Sequence, residues 1–425
     1  MSSGIKNRGW SVTLAGLGIN LALGILYTWS IFQAEIVKAI KAKAPAWASW
    51  ELASASDPYA VCCLVFAIAM VFAGKMQDRV GPRTTAAIGG LLVGLGFIVI
   101  SQSTSYGIWV LGFGVLAGAG IGFGYASATP PAVKWFPKSK TGLIAGLVVA
   151  GFGLASVYIA PLSKFLVGAY GLQTSMLIFG IAFTIVVVGL STVLVNPPAG
   201  YSPEQARPAV AGQVAKAPAA DINLKPSDAM KTGTFYRLWI TFFISCGAGL
   251  VVIGSMAAMA SKSLGAWAFL AVAVLAIGNA GGRILAGFIS DKIGRQLTLI
   301  IMLFFQATLM LIAVPLIKNN LGGAAGIVIL VALIGANYGA NLSIFPSAAK
   351  DQWGLKNFGA NYGALFTAWG MAGLIMPRIS QMLIAKTGSF DNSLYMCMVT
   401  LIAVGVFNIF SLKARRKASS ALQTA

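Results

Sequence analysis

Twelve stretches of this chain stay apolar for about 20 residues, the length a helix needs to cross the hydrocarbon core of a bilayer. They lie near residues 10–38, 57–74, 84–102, 106–133, 141–165, 172–195, 234–260, 265–290, 296–317, 323–349, 357–383 and 390–412. Hydrocarbon offers no water to backbone N–H and C=O groups, so each run must satisfy its own, which a helix does. The expected class is an all-α membrane protein embedded in a lipid bilayer. One long polar interruption, residues 196–233, is rich in Pro and Ala and carries Glu204, Arg207, Lys216, Asp221, Lys225, Asp228 and Lys231. It reads as a cytoplasmic linker between an N-terminal six-helix bundle, residues 1–195, and a C-terminal one, residues 234–425. The first run is too long for a cleaved signal peptide and is expected to stay.

Thirty basic and ten acidic residues give a net charge of +20 in a chain that is 58% hydrophobic and 9% charged. Such a charge could serve nucleic acid, but no Lys/Arg stripe with interleaved stacking aromatics occurs, so no nucleic-acid partner is expected. With both termini placed in the cytoplasm, 21 of the 30 basic residues fall inside, eight fall outside, and Arg283 belongs to neither side. That is the bias of a multi-pass protein of a cell's inner (plasma) membrane. Cys62, Cys63, Cys246 and Cys397 lie in apolar runs without ligand spacing, and the chain has no His. Neither a metal site nor a cofactor is expected.

The chain repeats itself. Gly74 to Arg83 (GKMQDRVGPR) and Gly287 to Arg295 (GFISDKIGR) share a Gly, three residues, Asp, a basic residue, one residue and Gly, with Asp78 and Asp291 separated by 213 (291 − 78). Tyr125 and Tyr338 are also 213 apart (338 − 125), each in a Gly-containing stretch that ends in Phe-Pro. Gly142 and Gly146 are matched by Gly359 and Gly363. Such a duplication is the build of a carrier whose halves move about a central site. In the two loops, Asp78, Arg79, Asp291, Lys292 and Arg295 are expected to act as gate latches, an acid at a helix end holding neighbouring helices until the halves move.

All ten acids fall in loops or at the ends of runs, which leaves no buried carboxylate to bind a cation. Without a His, or a nucleophile beside a base, no catalytic constellation is present and no enzyme is expected. Arg283 is the exception among the apolar runs, roughly 10 Å from the cytoplasmic end of the eighth at 1.5 Å per residue. It could snorkel to the interface, or its fork of N–H groups could match the two oxygens of a carboxylate in a cavity of reduced dielectric. Asn279 stands one turn earlier on the same face. Tyr125 and Tyr338, with Tyr27 and Trp29 of the first run, could line a cavity or simply pack.

The combination resembles the oxalate/formate antiporter branch of the major facilitator superfamily and its relatives, the proton-linked monocarboxylate transporters. The residues that carry the resemblance are Tyr27-Thr28-Trp29-Ser30, Lys134-Trp135-Phe136-Pro137, Gly282-Arg283, the Asp78 and Asp291 loops, and Phe345-Pro346-Ser347. It implies a major facilitator fold, with 12 transmembrane helices in two pseudo-symmetric six-helix bundles. It also implies that Arg283 binds the substrate carboxylate, with aromatic residues closing the cavity. In the oxalate carrier a lysine of the eleventh helix adds a second charge, whereas Ala364 to Leu374 here has neither Lys nor Arg and shows Trp369. Animal-type carriers have an aspartate where Asn279 stands, which puts a proton relay there in doubt and leaves Asp57 as the proton-coupling candidate. The expected function is secondary active transport of a small monocarboxylate of the lactate or pyruvate type with a proton as co-substrate. The alternatives are an oxalate/formate-type anion antiporter and, from another class, a transporter-like membrane sensor.

Overall fold

The computed structural model describes residues 7–201, 223–264, 268–319 and 323–424; the linker charges Glu204, Arg207, Lys216 and Asp221 lie outside the described residues. Among the described residues every regular element is helical. The first run holds α1 (Gly9–Leu23) and α2 (Trp29–Lys41), joined by a 3-10 turn over Gly24–Thr28. Then come α3 (Asp57–Arg79), α4 (Pro82–Ser101) and α5 (Tyr106–Trp109). A π-helical stretch, Val110–Ala117, leads into α6 (Gly118–Lys134). α7 (Thr141–Ser191) is two helices that meet at Gly171, whose φ of 78° breaks the helical path. The short α8 (Pro226–Ala229) precedes α9 (Gly233–Leu264), α10 (Ala268–Ile293) and α11 (Arg295–Lys318). The chain closes with α12 (Gly323–Trp353), α13 (Phe358–Thr387) and α14 (Asp391–Thr424).

Among the described residues, ten segments are long and apolar enough to cross a membrane, with residues 138–191 counted as one. Separating the two arms of α7 and adding the 30 residues of α13 gives a helix for each of the twelve runs. The carboxyl-terminal ends of α3, α6, α10 and α12 share one face with residues 223–233, tied there by bonds such as Leu224 N–H to Trp353 C=O at 3.0 Å. This is called the linker face below.

Two seams join the parts of the chain before and after the linker, α7 against α10 and α3 against α13. The seams are repeats of each other. A Cβ on Gly146 would stand 2.4 Å from the Arg283 carbonyl oxygen, and one on Gly363 would stand 2.4 Å from that of Met70. Only a residue without a side chain lets the backbones approach so closely. The loop glycines have a different role: Gly81 (φ 106°) and Gly294 (φ 90°) turn the chain through the left-handed region between α3 and α4 and between α10 and α11.

Candidate functional site

Arg283 sits ten residues before the end of α10 at Ile293, about 15 Å at 1.5 Å per residue. That is deeper than the sequence suggested, because the helix continues past Ser290. The side chain is 0% exposed, so it does not snorkel. Its Nε donates to Asn279 Oδ1 at 2.9 Å, and Nη1 donates to the Val149 carbonyl of α7 across the seam. Nη2 is buried without a partner, and among the described residues no carboxylate ion-pairs with Arg283. An unpaired buried charge costs several kcal/mol, and two hydrogen bonds to neutral oxygens offset only part of it.

Aromatic rings surround this region. Phe66 of α3 has its ring centroid 5.5 Å from Tyr125 of α6, 5.2 Å from Phe366 and 5.3 Å from Trp369 of α13. Phe152 of α7 meets Tyr125 at 5.4 Å and Tyr27 at 5.2 Å. A polar chain crosses between the halves: Trp369 Nε1 donates to Tyr338 Oη at 2.8 Å, and Tyr338 and Tyr27 hydroxyls stand 3.4 Å apart. The buried hydroxyls of Tyr125 and Tyr362 interact with each other. The Arg283 guanidinium lies within electrostatic range of Tyr27, Tyr125 and Tyr362. The structure thus brings Arg283, Asn279, Tyr125, Tyr338, Tyr27 and Trp369 together. Trp29 turns away, into a separate cluster with Phe113 at 4.4 Å and Trp109 at 6.2 Å.

Phe66, Phe152, Tyr362 and Phe366 were not singled out by sequence. The signal for part of this set was present: Tyr362, Phe366 and Trp369 stand at i, i+4 and i+7, which is one face of a helix. The repeat adds a second observation. The 213-residue offset that relates the loops also relates Met70 to Arg283 (283 − 213) and Phe66 to Asn279 (279 − 213). The guanidinium and amide of one half therefore correspond to a thioether and a ring in the other, so the repeat is chemically one-sided at these two positions.

On the linker face the two loops bridge the halves. Asp291 accepts from the N–H groups of Gly142 and Leu143, both at 2.9 Å, at the start of α7. Asp78 accepts from Gly359 and Ala360, at 3.2 and 2.8 Å, at the start of α13. Each carboxylate caps a helix N-terminus of the other half, where unpaired N–H groups and the helix dipole favour negative charge. The latch partners are thus backbone donors more than basic side chains. Arg295 joins one latch, at 2.6 Å from Asp291 and 3.0 Å from Asp351, while Lys292 lies over the Phe288 ring at 4.3 Å and Arg79 is exposed. A cavity of about 760 Å³ on this face is lined by Lys75, Asp78, Arg79 and Lys225 among others, and by none of the chamber residues above.

A second cavity, of about 600 Å³, lies toward the opposite face between α3, α9 and α13. Trp369 and Cys63 border its deep end, and Ser56, Arg378 and Met382 its outer part. Asp57 does not line it; its carboxylate accepts from the Tyr106 hydroxyl at 2.9 Å. Among the described residues no group of three or more acids and cysteines is placed to hold a metal ion.

Helices of this number, length and apolarity define a multi-pass membrane protein, and its seams, latches and buried cation lie between two repeated halves. The chain belongs to the Major Facilitator Superfamily, whose profile matches residues 10–377. It is 27% identical over 381 residues to the oxalate:formate antiporter of Oxalobacter formigenes, covering 87% of this chain and 83% of that protein. It is 25% identical over 405 residues to monocarboxylate transporter 11 of Mus musculus, covering 92% and 84%. The solved structure of FucP, a Major Facilitator Superfamily transporter in the outward conformation, shares the fold with a TM-score of 0.63 at 14% identity, over 94% of this chain and 99% of that one.

Proposed function

We propose that this transporter carries small monocarboxylates of the lactate or pyruvate type, by alternating access and together with a proton. The observation that carries the reading is the buried Arg283 guanidinium, whose Nη2 lacks an acceptor and which, among the described residues, no carboxylate ion-pairs. Buried polar groups are almost always paired. A carboxylate supplies acceptor oxygens and the missing negative charge, and a short carbon chain would rest on Phe66 and its neighbouring rings. One buried cation with an apolar counterpart at Met70 suits one carboxylate better than two. Two relatives, an oxalate:formate antiporter and a monocarboxylate transporter, point to the same chemical class.

In this reading the linker face is cytoplasmic, on the Lys/Arg bias, the membrane is the inner (plasma) membrane, and residues 1–195 and 234–425 rock about the linker at 196–233. Cargo neutralises Arg283 and so lowers the cost of closing the halves around a bare charge. Asn279 cannot take the proton, and Asp57 is the carboxylate we assign to it. A second reading, exchange of one anion for another, is favoured by the same unpaired charge, because the empty carrier would have to return with Arg283 uncompensated. Uptake of labelled lactate into proteoliposomes with an alkaline interior and no internal anion separates the two. Accumulation above the outside level supports symport; uptake only when an internal anion is loaded supports exchange and overturns proton coupling.

A further inference from the structure

Among the described residues, Arg378 is the one charged side chain that lines the 600 Å³ cavity opposite the linker face. It is exposed, and among the described residues no carboxylate ion-pairs with it. Most of the wall is apolar, with Ala60, Leu250, Ile253 and Leu374 contributing and Ser56 and Tyr59 the polar exceptions. Low-dielectric walls focus the field of a charge along a cleft instead of letting water spread it. At the deep end stands Trp369, held by its bond to Tyr338, and Arg283 does not line the cavity. Arg378 follows Trp369 by nine residues on α13, about 13 Å along the helix. That is farther than a carboxylate of two or three carbons can reach.

We infer that Arg378 forms a separate outer binding station, which captures a small organic carboxylate in the vestibule before Trp369 and Tyr338 give way and Arg283 receives it. The inference rests on the carboxylate reading above and goes beyond it. That reading needs only one cation, at the centre, and the sequence assigned Arg378 merely to the charge outside the membrane. Two stations in series divide the work: the exposed one raises the local concentration of anion and the rate of capture, and the buried one fixes the geometry for translocation.

The test is initial-rate uptake of labelled lactate by the full-length protein, entering from the vestibule side, for wild type, Arg378→Gln, Arg378→Lys and Arg378→Glu. At low ionic strength Arg378→Gln should raise KM about three- to tenfold with Vmax changed less than about twofold, as expected for loss of a steering charge. Arg378→Lys should recover most of the loss, and Arg378→Glu should be worse than Arg378→Gln. The gap between wild type and Arg378→Gln should shrink as salt approaches about 0.5 M, where the Debye length falls to a few ångström. Folding is controlled by the melting temperature of each variant. If wild type transports lactate and Arg378→Gln matches its KM at low salt, or loses Vmax at unchanged KM, the outer station is wrong and the carboxylate reading stands. If wild type moves no small carboxylate in uptake or exchange, both are wrong.

Discussion

Arg283 directs Nε and Nη1 to neutral oxygens and leaves Nη2 without a partner, so its fork keeps donors for a carboxylate. A lysine would keep the charge and lose the planar fork. Arg283→Lys should therefore weaken lactate binding about tenfold, in line with one charge-assisted bond of roughly 1.5–3 kcal/mol, read by a thermal-shift titration of purified protein. At Tyr338 the hydroxyl accepts from Trp369 and faces Tyr27, so Tyr338→Phe leaves the indole N–H buried and unpaired. A cost of about 1–3 kcal/mol should appear as a KM several times higher at near-normal expression, checked by uptake kinetics. The sequence showed Arg283 and Asn279 because a charge inside an apolar run is conspicuous and a spacing of four puts the pair on one helix face. Phe66 and Phe366 were hidden for the opposite reason: an aromatic ring in an apolar run looks the same whether it packs against lipid, a helix or a ligand.

The elements act through their ends and seams. Asp291 accepts two backbone N–H groups and a guanidinium, Asp78 only two N–H groups. Asp291→Asn should thus open the linker face more than Asp78→Asn. Spin labels on cysteines at Lys140 and Lys292 should show a longer-distance population that grows about tenfold or more for Asp291→Asn. A distance distribution equal to wild type would remove the latch role. Along the seams, Gly146→Val and Gly363→Val would force side-chain atoms onto the carbonyls of Arg283 and Met70. Each should cost about 1–3 kcal/mol or more, seen as a lower melting temperature in detergent. Loop and seam glycines were legible because they recur at fixed offsets. The 3-10 turn at Gly24–Thr28 and the π-helical stretch at Val110–Ala117 were not, since hydrophobicity reports the length of an apolar run and is blind to its internal hydrogen-bond register.

At the scale of the molecule, Asp78 and Asp291 bridge the halves on the linker face, and a cavity stands toward the opposite face. Arg283 lies between, bonded across a seam to α7. The doubling of the loops was readable from the 213-residue offset and that of the seam glycines from one of 217 (359 − 142), while the chemical asymmetry lies in Met70 and Phe66, which occupy the places of Arg283 and Asn279. A symmetric scaffold thus holds a one-sided cation, and in the proposed reading cargo charge decides whether its halves can close. The most direct test is uptake of labelled lactate into proteoliposomes containing wild type or Arg283→Ala, at equal protein and with melting temperatures within a few degrees. Wild type should accumulate lactate and Arg283→Ala should fall to the level of empty liposomes. Uptake by Arg283→Ala at the wild-type rate would contradict the assignment of the central site.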